Sequence, residues 1–271
     1  MSDSLIRSKK ISCPHGFSTR LGGVSRGVYE SLNLGMNRGD EEALVKRNWD
    51  IFLEACGIPN REFVCGKQVH GNVVHIADRA DMRPAYGEGE LIEADGYVTN
   101  LKNVPLAIFT ADCTPLLMYE PRHQVIAAVH CGWRSTVADI MGNAVEAMVR
   151  LGAEPRLICA ATGPSICPKC FEVGSEVIEA VDGLLISGAE CASDGAAEGH
   201  LYTPRDGQPG KYLLNLPGVV ECRLLQLGLQ KENIDIINEC TLEQPGRYWS
   251  HRYASAVRGS QANVICLDQV K

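Results

Sequence analysis

The chain has 271 residues, of which 45% are hydrophobic and 22% are charged. This composition is typical of a globular protein of one large or two small domains, and no apolar stretch approaches a membrane span. The formal net charge of −7 argues against nucleic acid as the main partner, yet it leaves room for a local basic pocket for a small anion. The first residues, MSDSLIRSKKISC, lack the apolar core of a signal peptide, so we expect a cytoplasmic protein with no membrane partner.

The predicted elements follow from Gly and Pro signals and from apolar periodicity. Residues 13–40 are rich in Gly, Ser, Asn and Arg, which predicts loops and turns, and the polar residues 187–211 predict an exposed excursion. Between and after them the sequence predicts helices near 41–56, 137–151, 174–186 and 216–228, and strands at 72–77, 96–99, 104–110, 116–119, 125–130, 157–163 and 234–240. Strands and helices do not alternate strictly, which predicts one mixed α+β domain over residues 1–271.

The stretch AAVHCGWRST, residues 127–136, joins a buried strand to a helix. His130 ends the apolar run, and Ser135 or Thr136 can cap the following helix, so Arg134 is predicted beside a helix N-terminus. Free backbone N–H groups and the helix dipole favour negative charge there. The pattern suits a metal ligand next to an anion site, but a core histidine at a strand–helix corner explains it as well.

Two further segments share this design: GKQVHG places His70, and TADCTP places Cys113, after an apolar run and before a Gly- or Pro-marked turn. Two imidazoles and one thiolate from separate segments form a zinc set that often leaves a fourth position open. Spacing alone does not separate this hypothesis from three satisfied core residues. Cys131 is predicted to face the side opposite to His130, because neighbouring strand residues alternate.

The chain contains twelve cysteines, among them a CPKC pair at 167–170. Without an export signal, reduced thiols are favoured over disulfide scaffolding. A structural zinc needs a second ligand pair, and the sequence holds no other CxxC. A redox pair is an alternative, but the context SICPKCFE lacks a thioredoxin pattern, so we expect Cys167 and Cys170 to be free thiols near the site.

The chain resembles the laccase-domain family, once labelled multicopper polyphenol oxidases. The resemblance runs from about His15 to Ile265 and rests on these motifs in order: HGFSTRLGGVS, SLNLG, KQVHG, DGYVTN, ADCTP, AVHCGWRST, GPSIC…CFEVG and NEC-T…YWSHR. It implies a single-domain, four-layer α/β/β/α sandwich with mixed sheets. It also implies one zinc ion held by His70, Cys113 and His130, and phosphorolysis of the purine nucleosides adenosine, inosine and guanosine, with methylthioadenosine phosphorolysis and adenosine deamination as further activities.

Phosphorolysis requires a held phosphate, a tolerated oxocarbenium-like ribose and a proton or hydrogen bond for the departing purine. Candidate catalytic residues are Asp112, Arg134 and Glu172, and candidate substrate-binding residues are Arg20, Asn33 and Arg47. Each has a structural alternative: an ion pair for the arginines and Glu172, a turn for Asn33, and the orientation of a ligating His for Asp112.

Three other functions use the same residues. Multicopper oxidases need many imidazoles, commonly in HxH pairs, and none of the seven His here are two residues apart, which disfavours copper-dependent phenol oxidation. One Cys and two His could hold a single copper. A cysteine hydrolase would use Cys113 as nucleophile and His130 as base. A binding module would show no turnover. The sequence leaves the preferred nucleoside, the general acid and the oligomeric state open.

Overall fold

The computed structural model describes residues 4–185 and 200–268. Its helices are Glu42–Cys56 (α1), Trp133–Val137 (α2), Ile140–Arg150 (α3), Ser175–Leu184 (α4), Leu216–Gln226 (α5) and His251–Ala254 (α6). Its strands are Leu5–Ile6 (β1), His15–Ser18 (β2), Glu62–Phe63 (β3), Val74–Ile76 (β4), Arg83–Pro84 (β5), Gly96–Thr99 (β6), Leu106–Thr110 (β7), Thr114–Glu120 (β8), Val125–Cys131 (β9), Cys159–Thr162 (β10), Glu172–Gly174 (β11), Tyr202–Pro204 (β12), Lys211–Leu214 (β13), Ile234–Ile236 (β14) and Gln261–Ile265 (β15).

Two large sheets organise this mixed α/β structure. One is antiparallel with the strand order β1-β2-β15-β7. The other has the order β14-β10-β8-β9-β6-β4 and is mixed, because its two edge strands β14 and β4 run parallel to their neighbours. A three-stranded sheet, β11-β13-β12, and the pair β3-β5 complete the strands of the described residues.

The buried side chains form separate clusters on the faces of these sheets. Phe17 and Ile108 of the antiparallel sheet share a cluster with Leu117 and Ile126 of the mixed sheet, so the two sheets pack face to face. Helices α3 and α5 contribute to a cluster with the opposite face of the mixed sheet, and α1 to a cluster with the opposite face of the antiparallel sheet. Apolar side chains at i, i+4 and i+7 produce the buried stripe of α1, which ends at Gly57 with a positive φ of 77°.

Most predicted elements are confirmed with shifted ends, but the helix after His130 differs. It is two helices, α2 and α3, and not one helix over 137–151. Ser135 and Thr136 lie inside α2 and do not cap α3; Asp139, at φ 61°, caps α3 by accepting a hydrogen bond from the Gly142 N–H at 3.1 Å. An Asx cap separates two helices without altering the apolar periodicity. The periodicity alone therefore predicts one continuous helix.

The sequence did not predict β2 and β15. Residues 13–40, where loops and turns are predicted, contain the inner strand β2, and β15 follows the last predicted strand at 234–240 and pairs between β2 and β7. Gly16 makes β2 hard to predict, because glycine is read as a loop signal. A Cβ at this position would lie 2.1 Å from a Leu5 side-chain carbon, so close packing requires the glycine. Of the exposed excursion predicted at 187–211, residues 200–211 are mostly exposed, as predicted, although they carry β12 and the start of β13, while 187–199 lie outside the described residues.

None of the helices in the described parts of the chain combines the length and the apolarity needed to cross a bilayer.

Candidate active site

His70, Cys113 and His130 converge where β9 ends and β8 begins. Their ligand atoms all lie within 4.8 Å of one another, and Cys113 Sγ is 3.9 Å from His70 Nε2. The antiparallel register places His130 opposite Pro115, two residues beyond Cys113, so the sheet itself brings these two ligands together. His70 comes from the loop before β4 and adopts a positive φ of 60°. Two imidazoles and a thiolate in this arrangement match the donor set that zinc prefers.

A buried carboxylate, Asp95, holds both histidines in place. Its Oδ1 accepts hydrogen bonds from His130 Nδ1 at 2.7 Å and from the His70 backbone N–H at 3.0 Å, and its Oδ2 accepts from the backbone N–H groups of Val69 and Gly71 at 3.0 and 2.9 Å. Because Nδ1 is bonded to Asp95, Nε2 is the nitrogen of His130 that remains to bind a metal beside Cys113. Such a carboxylate behind a ligating histidine sets its tautomer and ring orientation.

Gly132 follows the strand that carries His130, and its backbone lies against all three ligands. A Cβ at this position would be 2.9 Å from His70 Cδ2 and 3.3 Å from Cys113 Sγ. Its φ is −73°, so no left-handed backbone requires glycine here. The requirement is steric: any side chain would push into the metal-binding group.

The charges of Cys113, His130 and their neighbours shift one another's pKa values. Burial by itself raises the pKa of the Cys113 thiol, but the nearby imidazoles of His130 and His70 lower it more, so the pKa of Cys113 falls below its ordinary value. Burial lowers the pKa of His130, but the Cys113 thiolate and the Asp95 carboxylate raise it further, so the net direction is upward. A thiolate next to imidazole suits metal binding and also nucleophilic attack.

A cavity of about 310 Å³ opens onto the three ligands. Arg38 and Arg258 line it together with Ser260 and Gln68. Nη1 of Arg258 donates to the carbonyl of Gly259 at 2.8 Å, whereas its buried Nε has no hydrogen-bond partner among the residues that the structure describes. Burial, and next the positive charge of Arg38, lower the pKa of Arg258. Arg38 is exposed and Arg258 is partly buried, and two like charges that line one cavity favour a bound anion.

Asp112, a predicted catalytic residue, precedes Cys113 and is buried behind it. Its Oδ1 accepts from Thr241 Oγ1 and its Oδ2 from the Arg252 backbone N–H, both at 2.7 Å. It does not contact a ligating histidine in the hydrogen bonds of the described residues, so the orienting role predicted for it belongs to Asp95. Asp112 instead ties the Cys113 turn, where its own φ is 88°, to the chain near 241 and 252.

Arg134 and Glu172 lie outside the lining of this cavity. Arg134 is in the short helix α2, with its guanidinium stacked 4.2 Å from the centre of the Trp133 ring. Glu172 is on β11, where it forms an ion pair with Arg205 and approaches Lys211 at 4.0 Å. The structure therefore does not bring these two predicted catalytic residues to the metal-binding group.

The three predicted substrate-binding residues also have structural partners. Arg20 donates to the carbonyls of Glu30 and Pro245 and stacks 3.8 Å over the Trp249 ring. Arg47 is exposed on α1, with a side-chain nitrogen 3.9 Å from Asp50.

Asn33 is fully buried. Its Oδ1 accepts from the backbone N–H groups of Gly35 and Ser260 at 2.9 and 3.1 Å, and its Nδ2 donates to Asp40 at 2.9 Å. It thus positions two loops of the cavity wall and has no surface with which to touch a substrate.

Sequence reasoning missed Asp95, Arg38 and Arg258. Asp95 had a signal, since it opens the DGYVTN motif immediately before a strand. Arg38 and Arg258 had none, because they lie in irregular segments far apart in the chain. The prediction that Cys131 faces away from His130 is confirmed: Cys131 lies in the cluster with α3.

The sequence and fold are similar to those of known proteins. Residues 14–268 match the family described as multi-copper polyphenol oxidoreductase laccase. A protein from Deinococcus radiodurans named purine nucleoside phosphorylase is 44% identical over 174 residues, which span 64% of this chain and 64%, just under two thirds, of that protein. Purine nucleoside phosphorylase YlmD from Bacillus subtilis is 32% identical over 253 residues, 92% of this chain and 87% of that protein.

A solved structure agrees with these sequence matches. The crystal structure of YlmD from Geobacillus stearothermophilus has a TM-score of 0.87 at 26% sequence identity and covers 98% of this chain and 97% of that one. The sequence match spans nearly the whole chain, and the same chain places His70, Cys113 and His130 around one point. The chain therefore belongs to the laccase-domain family.

Proposed function

We propose that this protein is a zinc-dependent purine nucleoside phosphorylase acting on adenosine, inosine and guanosine, and on methylthioadenosine. The observation that carries the proposal is the cavity in which His70, Cys113 and His130 meet Arg38 and Arg258. The names of the relatives from Deinococcus radiodurans and Bacillus subtilis support the same substrates, purine nucleosides and phosphate.

The donor set fits zinc. His70, Cys113 and His130 would hold it as three protein ligands, which leaves a position toward the cavity, as in catalytic zinc sites. When bound, the metal supplies a Lewis acid that orients and polarises an oxygen ligand. A single copper would also fit one thiolate and two imidazoles, but this set offers no multicopper centre, so phenol oxidation is the weaker alternative.

Arg38 and Arg258 are the phosphate-binding residues in this proposal. A bound dianion removes the repulsion between the two guanidiniums and gives the buried Arg258 Nε an acceptor. A phosphate oxygen then forms a bond to the anomeric carbon as the bond from that carbon to the purine nitrogen breaks. The electron pair of the broken bond leaves with the purine, and the proton that hydrogen phosphate loses on becoming an ester balances the one that the purine gains.

The residues predicted from sequence take supporting roles in this proposal. Asp112 holds the turn of Cys113, and Asn33 holds the loops of Gly35 and Ser260. Arg20, Arg47, Arg134 and Glu172 act away from the reacting atoms. The frame is one domain over residues 1–271, and the three clusters on the sheet faces support a four-layer α/β/β/α sandwich.

Adenosine deamination receives less support from the same cavity. That reaction needs a carboxylate to shuttle protons beside the metal. Among the residues that the structure describes, no Asp or Glu lines the cavity, and both oxygens of Asp95 and of Asp112 already accept hydrogen bonds.

The test is turnover of adenosine and inosine, with and without phosphate, followed by chromatography on protein of known metal content. We expect free purine and ribose 1-phosphate only when phosphate is present. Arg258→Ala should raise KM for phosphate roughly 10- to 100-fold, the loss expected for a charged hydrogen bond. The matched control is Arg122→Ala, which removes an exposed arginine that pairs with Glu154 at 2.9 Å.

Three results would contradict the proposal. Inosine formed from adenosine regardless of phosphate would make deamination the main activity. Oxidation of a phenol by copper-loaded protein, with no nucleoside turnover in the zinc form, would favour the oxidase. An Arg258→Ala variant with unchanged KM for phosphate would remove the phosphate role from the cavity.

A further inference from the structure

The structure gathers a second set of metal-capable side chains, distinct from the first. One ligand atom each from Cys167, Cys170, Cys240 and Glu243 lies within 4.8 Å of the others. The CPKC pair therefore does have a second ligand pair, which is a CxxE and not a CxxC. We propose that these four residues form a second site for zinc or another thiophilic divalent cation, with a structural role.

Local geometry supports ligation at this second site. Cys240 is buried and accepts a hydrogen bond from the Cys167 backbone N–H, with Sγ 3.3 Å from the nitrogen. Cys170 N and Phe171 N both lie 3.0 Å from the Cys167 carbonyl, so the CPKC segment turns back on itself and directs both thiols to one point. All three cysteines are free thiols. Backbone N–H donors to sulfur stabilise thiolate ligands in the same way that outer hydrogen bonds stabilise other metal ligands.

The distances leave room for a metal. A tetrahedral zinc with Zn–S bonds of about 2.3 Å keeps its ligand atoms about 3.8 Å apart. Side-chain rotations that move these atoms by up to about one ångström would complete the coordination. Glu243 is exposed and its Oε2 lies 3.8 Å from Cys167 Sγ, so the carboxylate closes the site from the solvent side. A cavity of about 410 Å³ lined by Cys167, Cys240 and Glu243 provides the entry path.

The four-ligand composition separates this second site from the first. Three protein ligands and an open position are typical of catalytic zinc, whereas four protein ligands in two close pairs are typical of structural zinc. Three thiolates and one carboxylate bind a divalent cation only when they are deprotonated, and metal binding drives that deprotonation.

A metal at the second site would act on the first through Asp112. Thr241, next to Cys240, donates to Asp112 Oδ1 at 2.7 Å, and the Ile166 N–H, next to Cys167, donates to the Asp112 carbonyl at 2.9 Å. Each ligand pair is thus one residue from a hydrogen bond to the neighbour of Cys113. Clamping the two pairs together fixes the turn that presents Cys113.

The test is zinc stoichiometry of the full chain, reconstituted under reducing conditions and measured by elemental analysis. We expect about two zinc ions per chain, about one in Cys113→Ala and about one in Cys240→Ser. The double variant should hold none. Cys159→Ser, which removes a half-buried thiol outside both sets, is the matched control and should retain both ions.

A spectroscopic measurement gives a readout that does not depend on catalysis. Cobalt(II) added to Cys113→Ala should give intense thiolate-to-metal charge-transfer absorption, which falls in Cys167→Ser. Glu243→Gln alters only an exposed side chain, so it should fold normally and weaken zinc at this second site at least about tenfold.

Two outcomes would overturn the inference. One is a Cys113→Ala protein that binds neither zinc nor cobalt at stoichiometric concentration. The other is formation of a Cys167–Cys240 disulfide in the presence of reductant, with no metal uptake. Neither outcome depends on nucleoside turnover, so this inference and the proposed function can fail separately.

Discussion

Asp95 Oδ1 lies 2.7 Å from His130 Nδ1, and this bond joins a residue just before β6 to the second-last residue of β9. The same carboxylate collects the backbone N–H groups of residues 69–71. One side chain therefore sets both the ring of His130 and the loop of His70. We therefore expect metal binding at the first site to depend on Asp95 as well as on the three ligands.

Asp95→Asn should weaken zinc binding at the first site by roughly 10- to 100-fold. The carboxylate now accepts hydrogen bonds from N–H donors, and the NH₂ group of asparagine would face some of these donors. Either the His70 loop or the His130 ring must then move. Chelator competition measures the affinity. The control is Asp81→Asn, since Asp81 also pairs with a histidine, His75, at 2.8 Å but away from this site. Equal losses in the two variants would contradict the assignment.

The Asp95 contribution to stability should depend on pH in one direction. Burial raises the pKa of this carboxyl, but the bonds from His130, Gly71 and Val69 lower it more, so its pKa in the folded protein is below the unfolded value of about 3.9. The stabilisation is complete above that value and is lost as pH falls toward the folded pKa. The difference in free energy of unfolding between the native chain and Asp95→Asn, measured with urea in chelator, should shrink below about pH 4. A difference that grows on acidification would have the wrong sign.

Gly132→Ala should lower zinc affinity, because the new methyl group would sit 2.9 Å from His70 Cδ2 and 3.3 Å from Cys113 Sγ. Affinity by chelator competition and thermal unfolding report the effect. Gly183→Ala is the control: its Cβ would meet nothing within 4 Å, and in α4 it should stabilise the protein by up to about 1 kcal/mol. Unchanged metal affinity in Gly132→Ala would show that the ligands are farther apart than the structure places them.

Metal removal should abolish turnover while leaving Cys113 reactive. The lowered pKa of this thiol predicts rapid alkylation by iodoacetamide in chelated protein and protection by zinc. Cys159, whose pKa burial raises, should react slowly in both forms. Peptide mass spectrometry resolves the two thiols. Full turnover by chelated protein, lost on alkylation of Cys113, would instead support the cysteine hydrolase.

Asn33→Ala should destabilise the protein by about 1–3 kcal/mol, because the backbone N–H groups of Gly35 and Ser260 lose their shared acceptor while buried. Urea unfolding measures the loss. Asn143→Ala, which removes an exposed amide that donates to the Asn72 carbonyl, should cost much less. If Asn33→Ala weakened nucleoside binding without any loss of stability, the residue would contact substrate after all.

Local patterns predicted the elements whose burial follows a single period. The stripe of α1 and the apolar runs of β7, β8 and β9 are confirmed within a few residues, because one buried face repeats at 3.6 or 2 residues. The same patterns missed β2, which contains Gly16, and the break between α2 and α3 at Asp139. The roles of these two residues depend on a neighbour in space or on a cap, and neither alters the local hydrophobic pattern.

The sequence by itself determined the family, through motifs from about His15 to Ile265, and with it the prediction of three metal ligands that the structure places together. Only the tertiary structure decided that Asp95 bonds to His130, that Arg38 and Arg258 line one cavity, and that Cys240 and Glu243 lie beside the CPKC pair. The physical reason is that these contacts depend on sheet register and loop closure between segments 35 to 220 residues apart. Composition and periodicity report how each segment is buried, and they carry no information on which distant segment lies beside it.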